Sequence, residues 1–187
     1  MAKINSVTKL GDRTQDIDSY FLNSRKTIFL KGEINDDSAM DTIMELLYLD
    51  STCPEDIVIY INSPGGSVTA GLAIYDTIKH LKCDVVTIGC GMTASMGALL
   101  LSSGTKNKRC AYKHCSIMIH QILGGAFGQA TEMEIALSNI VRMKKTINEI
   151  LAENTGHTIE KIAKDTDRDY HMTADEAKDY GLIDNII

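Results

Sequence analysis

Hydrophobic and polar positions alternate between two rhythms along the chain. TIFLKG (27–32) reads as a strand, and Asn35 or Asp36 can cap the helix after it. Met40, Ile43, Met44 and Leu47 supply the expected apolar face of that helix. IVIYIN (57–62) is a short β-rich run that SPGGS interrupts. VTAGLAIYDTIKHL then resumes at helical spacing, with Leu72, Tyr75, Ile78 and Leu81 together. The same order repeats with VVTIGC as strand, GMT as break and ASMGALLLSS as helix. Strand, glycine turn and helix twice over predict βαβ units, a parallel sheet and right-handed crossovers. Both glycine turns then fall at the carboxyl edge of the sheet, where α/β proteins hold their sites.

SIMIHQ (116–121) is a further strand ending in His120, and ILGGAFG opens a flexible connection. From Gln129 to about Asn154 the chain reads as one long helix. Met133, Ile140, Met143, Ile147 and Ile150 approximate one face, while Ile135, Val141 and Leu151 widen it beyond a single stripe. Such breadth points to a second packing partner, as in subunit contact. HTIEKIAKD is a shorter helix; Thr173 with Glu176 forms a capping box for the last one, and Gly181 stops it. Residues 1 to about 24 are polar and irregular, expected to be mobile or ordered only by a partner. No linker divides 25–187, so one α/β domain is expected.

Length and charge narrow the classes. A chain of 187 residues with 44% hydrophobic and 24% charged residues suits one soluble domain. The net charge of -6 and the lack of any basic block argue against nucleic acid. MAKINSVTKLGDRTQ has no apolar signal core, and MGALLL is far too short to span a bilayer. Cys53, Cys83, Cys90, Cys110 and Cys115 form no CxxC pair and read as reduced core thiols of a cytoplasmic protein. Cys110, Cys115, His114 and His120 come nearest to a metal cluster, but match no standard spacing, so no metal is expected.

The candidate chemistry lies in GCGMTASMGALLLSSG. Taken alone, Ser95 suits a residue that eases a helix into a crowded core. It becomes a nucleophile only with a base to take its proton and a third group to orient that base. Of His80, His114, His120, His157 and His171, only His120 ends a strand beside a glycine-rich turn. Any of Asp165, Asp167 and Asp169 could reach a histidine, and pattern alone does not choose among them. Gly65 and Gly66 let the backbone approach a substrate, and the Met96 N–H opens a helix, so both turns can donate to an oxyanion. A cysteine nucleophile is less well supported, since no Cys has the glycine setting of Ser95. Ser95 is not in a GxSxG motif, because Thr93 stands in place of the first glycine.

Five blocks in order resemble the Clp protease proteolytic subunit (ClpP) family: YINSPGGSVTAGLAIYDTI, GMTASMGALLLSSG, MIHQILGG, GQATEMEI and DTDRDYHMTADEAKDYGLID. The likeness runs from about Thr27 to the end of the chain. It implies a crotonase-like fold, with Ser95 as nucleophile, His120 as general base and Asp169 as the group that orients it. It further implies an oxyanion hole from the N–H groups of Gly66 and Met96. Gln129, Glu132 and Arg168 would couple ring contacts to the active site, and Ile122, Leu123, Gly124 and Gly125 would form the strand that pairs with extended substrate.

The resemblance implies a homo-oligomer of two stacked seven-membered rings, with the long helix between rings. An AAA+ unfoldase such as ClpX, ClpA or ClpC would deliver unfolded protein, and a ClpP paralogue is a further implied partner. No cofactor is expected in this subunit, ATP being used by the unfoldase. Ile122 departs from the family at the place where a proline usually follows the HQ pair, and the N-terminal segment matches only loosely. Two rival readings remain at this point. One is a regulatory ring subunit of a mixed complex; the other is a crotonase-fold acyl-CoA hydratase or hydrolase.

Overall fold

A computed structural model describes residues 3–8, 11–52, 55–125 and 127–187. The chain opens with an antiparallel hairpin, β1 (Lys3–Thr8) and β2 (Gly11–Asp16), followed by α1 (Ile17–Arg25). Asp16 caps α1 by accepting the Ser19 N–H at 2.8 Å. Phe21 meets the ring of Phe29 edge-on, with centroids 5.2 Å apart. Among the described residues before Thr27, a side-chain cap and an aromatic contact accompany regular backbone where the polar pattern suggested none.

Strand β3 (Thr27–Ile34), α2 (Asp36–Ser51), β4 (Ile57–Gly66), α3 (Val68–His80), β5 (Val85–Ala94) and α4 (Met96–Ser102) follow in the predicted alternation. After them come β6 (Arg109–Ala111), β7 (Ser116–Ile119), α5 (Ala130–Thr155), α6 (Ile159–Asp165), β8 (Tyr170–Met172), α7 (Ala174–Asp179) and β9 (Asn185–Ile186). Among the described residues a seven-stranded sheet runs β3-β4-β5-β6-β9, all parallel, with β7 parallel to β5 and β8 antiparallel to β7. The α/β class and the mostly parallel sheet agree with expectation.

Both glycine breaks turn out to lie inside strands. β4 continues through SPGG to Gly66, and β5 continues through GMT to Ala94. The register slips between Ile61 and Ser63, which pair with Gly89 and Thr93, so the ladder bulges instead of ending. Asn62 fills the bulge, its Oδ1 accepting the Met92 N–H at 3.2 Å. Beyond it β5 leaves β6 and pairs with β7, which carries Ala94 opposite Met118.

Two helices bury other faces than their patterns suggest. In α2 the buried residues are Ala39, Thr42, Leu46 and Leu49, whereas Met40, Met44, Leu47 and Tyr48 are exposed. Leu46 and Leu49 carry the buried face with Ala39 and Thr42, and Ile43 packs at its edge, so the stripe that meets the core is rotated from the one read off the sequence. In α5 only the C-terminal half is buried, through Ile147, Asn148, Leu151 and Ala152. Met133, Ile135, Leu137 and Val141 of its N-terminal half are exposed. The cap assignments at Asn35 and at Thr173 with Glu176 agree with the sequence. No described helix is long and apolar enough to cross a membrane.

Cys83 corrects the expectation of reduced thiols, because it is disulfide-bonded; Cys53 lies outside the described residues. Pairing depends on proximity in space, which the spacing of an odd set does not reveal. Cys90, Cys110 and Cys115 are free, as expected.

A nearly buried ion pair ties the C-terminal strand to the sheet. Arg109 donates to Asp184 through Nε at 2.9 Å and Nη2 at 2.6 Å, and its Nη1 reaches the Asn154 carbonyl at 2.7 Å. Burial alone would push the Asp184 carboxyl up, but the hydrogen bonds and charge of Arg109 outweigh it and hold it below its ordinary value. A depressed folded value means stability that is present above the unfolded pKa, about 3.9, and lost as pH falls through the folded one. Asp184→Ala is expected to cost about 3 kcal/mol near pH 7. In chemical denaturation the gap between variant and wild type should shrink at progressively acid pH.

Candidate active site

Ser95 occupies the junction between β5 and α4, at φ 55° and ψ −122°. A non-glycine residue held there costs roughly 1–3 kcal/mol, so the surrounding structure must impose it. The Ser95 N–H donates to the Met118 carbonyl of β7 at 2.8 Å, and its own carbonyl accepts the Leu99 N–H at 3.1 Å. The strained strand-to-helix turn has the backbone form of a nucleophile elbow, without the glycine two residues before the serine. Thr93 holds that place, buried, its hydroxyl 3.3 Å from the Ile61 carbonyl.

The missing clearance comes from the neighbouring strand. A Cβ at Gly65 would lie 2.6 Å from Ser95 Cβ and 3.0 Å from Met96 N, so only glycine fits beside the turn. Gly66 adopts φ 150°, and a Cβ there would overlap the Ile34 carbonyl oxygen. Of the two glycines proposed for the oxyanion site, Gly66 borders the same cavity as Ser95 and Met96. The Met96 N–H lies in the first turn of α4, where no intrahelical acceptor exists. The α4 side chains are all buried, so the turn is anchored from behind.

His120 stands one residue past β7, its side chain 13% exposed, and lines that cavity with Ser95. Its Nδ1 is 3.9 Å from Asp169 Oδ1, within ion-pair reach and beyond a hydrogen bond. The three acids left open by pattern separate here. Asp165 accepts from Lys161 at 2.5 Å and from the Tyr180 hydroxyl at 2.7 Å. Burial would push its carboxyl up, but these two donors hold it below its ordinary value. Asp167 lies 3.9 Å from Arg168. Among the described residues Asp169 is the acid in ion-pair reach of His120.

The remaining histidines lie elsewhere. His157 packs edge-on against Tyr180 with centroids 4.5 Å apart, while His114 and His171 border a different hollow. Cys90, Cys110 and Cys115 are free, and burial pushes each thiol up, away from the thiolate a nucleophile requires.

The other expected positions are only partly assembled within one chain. At the start of α5 the Glu132 carboxylate accepts the Gln129 N–H at 3.3 Å. Arg168 is 92% exposed and pairs with Asp167, so no bond joins it to that contact among the described residues. Ile122 and Leu123 border the Ser95 cavity, but among the described residues 122–125 pairs with no strand, and Leu123 is 81% exposed. The cavity measures about 240 Å³, and Val68, Leu99, Ile119, Ile147 and Leu151 make its apolar wall. Nothing in the sequence marks these five as one surface, since they come from four separate elements that only packing brings together.

A family model described as Clp protease matches residues 9–187, a span that includes every residue of this site.

Proposed function

The chain belongs to the Clp protease family, and from that premise we propose that it is a serine endopeptidase acting through Ser95, His120 and Asp169. The observation that carries the reading is the strained turn presenting Ser95 in one cavity with His120, Gly66 and Met96. Strain at a polar residue facing a cavity is more readily explained by chemistry than by packing.

In this mechanism Ser95 Oγ attacks the carbonyl carbon of the scissile peptide while His120 Nε2 takes its proton. The N–H groups of Gly66 and Met96 receive the oxyanion, each worth about 3 kcal/mol in the transition state. The tetrahedral species collapses, and the leaving amine takes the proton from His120. Water, deprotonated by the same ring, then hydrolyses the ester and restores Ser95. Asp169 orients the ring through Nδ1, and substrate closes the 3.9 Å gap, as apo sites are often looser than the Michaelis complex. The apolar wall suits an apolar side chain next to the scissile bond, and extended substrate lies along residues 122–125.

Two stacked seven-membered rings of this subunit, fed by an AAA+ unfoldase that uses ATP, complete the proposal. The exposed apolar half of α5 would be covered between rings. Gln129, Glu132 and Arg168 would then meet across that contact. The test is a mass measurement of the native particle before and after a serine-reactive fluorophosphonate. One adduct per subunit, on Ser95, within a double-ring particle is expected. Protein that takes no label and hydrolyses no small peptide would overturn the reading in favour of a regulatory subunit.

A further inference from the structure

The residues on either side of His120 hold the segment on either side of Asp169. Before it, Ile119 of β7 pairs with Tyr170 of β8. After it, the Gln121 N–H donates to the Thr166 carbonyl at 2.6 Å, and Gln121 Nε2 donates to the Asp167 carbonyl at 2.9 Å. Asp169 is therefore clamped through its backbone neighbours. Its own carboxylate is 64% exposed, and His120 is its ion-pair partner.

Gln121 has one more partner. Lys144 of α5 donates through Nζ to Gln121 Oε1 at 2.8 Å. An ammonium group only donates, so it must take the amide oxygen. That leaves the Gln121 NH₂ turned toward Asp167 and dictates the amide orientation on which the clamp depends. A charge-assisted bond of this kind is stronger than one between neutral groups. Lys144 does not line the Ser95 cavity, so it acts at a distance from substrate.

We infer that Gln121, oriented by Lys144, is a positioning residue that sets the spacing between His120 and Asp169. The inference rests on the peptidase reading above. The Nδ1 to Oδ1 distance of 3.9 Å exceeds a charge-assisted hydrogen bond by about 1 Å. Misplacement on that scale can change a rate by about 10²-fold. Control of the last ångström is therefore control of rate, with no contact to substrate required.

Gln121 itself borders the cavity, so Lys144 is the cleaner site for a test. In the full chain Lys144→Met should lower kcat about tenfold per fluorophosphonate-titrated site, with KM unchanged. Lys144→Arg, which keeps a donor, should restore most of the loss. Lys145→Met, at an exposed neighbour facing Glu149, should leave both constants alone. Hydrogen exchange at the amides of 166–170 should quicken in Lys144→Met while the C-terminal half of α5 stays protected. Unchanged kcat per labelled site, or unchanged exchange at 166–170, overturns the inference and leaves the peptidase reading standing. A wild-type chain that neither labels nor hydrolyses overturns the peptidase reading, and the exchange result still decides whether Lys144 holds the segment.

Discussion

Ser95→Ala is expected to abolish peptide hydrolysis, with a loss of about 10⁶-fold in kcat on the scale of other serine peptidase sites. The fold should survive, because alanine keeps the Cβ that already sits beside Gly65 and removes only the hydroxyl. The Ser95 N–H to Met118 and the start of α4 are backbone features and remain. Ser95→Gly should be equally inactive but no less stable, since glycine adopts φ 55° without the strain of roughly 1–3 kcal/mol. The pair of variants separates chemistry from folding. A fluorogenic peptide assay and thermal denaturation on clean homomers suffice, and retained hydrolysis in Ser95→Ala would remove Ser95 from the mechanism.

Asp169→Asn should lower kcat by about 10⁴-fold while leaving stability within about 0.5 kcal/mol. The carboxylate is 64% exposed, and its recorded ion pair is with His120, so little of the fold depends on it. Asp165→Asn should do the reverse. Asp165 bridges Lys161 and Tyr180, and weakening both bonds should cost about 1–3 kcal/mol with kcat changed only a few-fold. The stability that Asp165 supplies is present above its unfolded pKa, because the folded carboxyl is depressed, and it fades as pH falls through the folded value. Equal kcat losses in the two variants would defeat the assignment of the orienting acid to Asp169.

Several features of the site were legible along the chain because their signals are local. Strand, glycine turn and helix repeat within about thirty residues, and that repetition implies parallel strands with their turns at one edge. Ser95 and His120 could be singled out because each follows a strand and neighbours glycine. The caps at Asn35 and Thr173 are contacts three residues apart, so sequence spacing is their geometry. The family likeness added the choice of Asp169, which spacing alone had left level with Asp165 and Asp167.

Other features were hidden because they join distant segments. SPGG and GMT look like breaks, yet the register slip at Asn62 lets both strands run on to the site. Ser95 takes an elbow conformation although Thr93 replaces a glycine, because Gly65 of the next strand provides the room. The outward face of α2 was misjudged because Met40, Met44 and Leu47 share helical spacing as Leu46 and Leu49 do, and only the packed structure decides which stripe faces the core.

By itself, then, the sequence determined the α/β alternation, the two glycine-edged turns and the residue types available for acyl transfer. Those depend on backbone preference and on periodicity over a few residues. Tertiary structure alone decided the strain at Ser95, the apolar wall around it and the 3.9 Å approach of His120 to Asp169. The last of these is set by β7 against β8 and by Gln121 against Thr166 and Asp167, contacts between segments more than forty residues apart. Distances of that kind follow from which surfaces pack, and no local pattern encodes them.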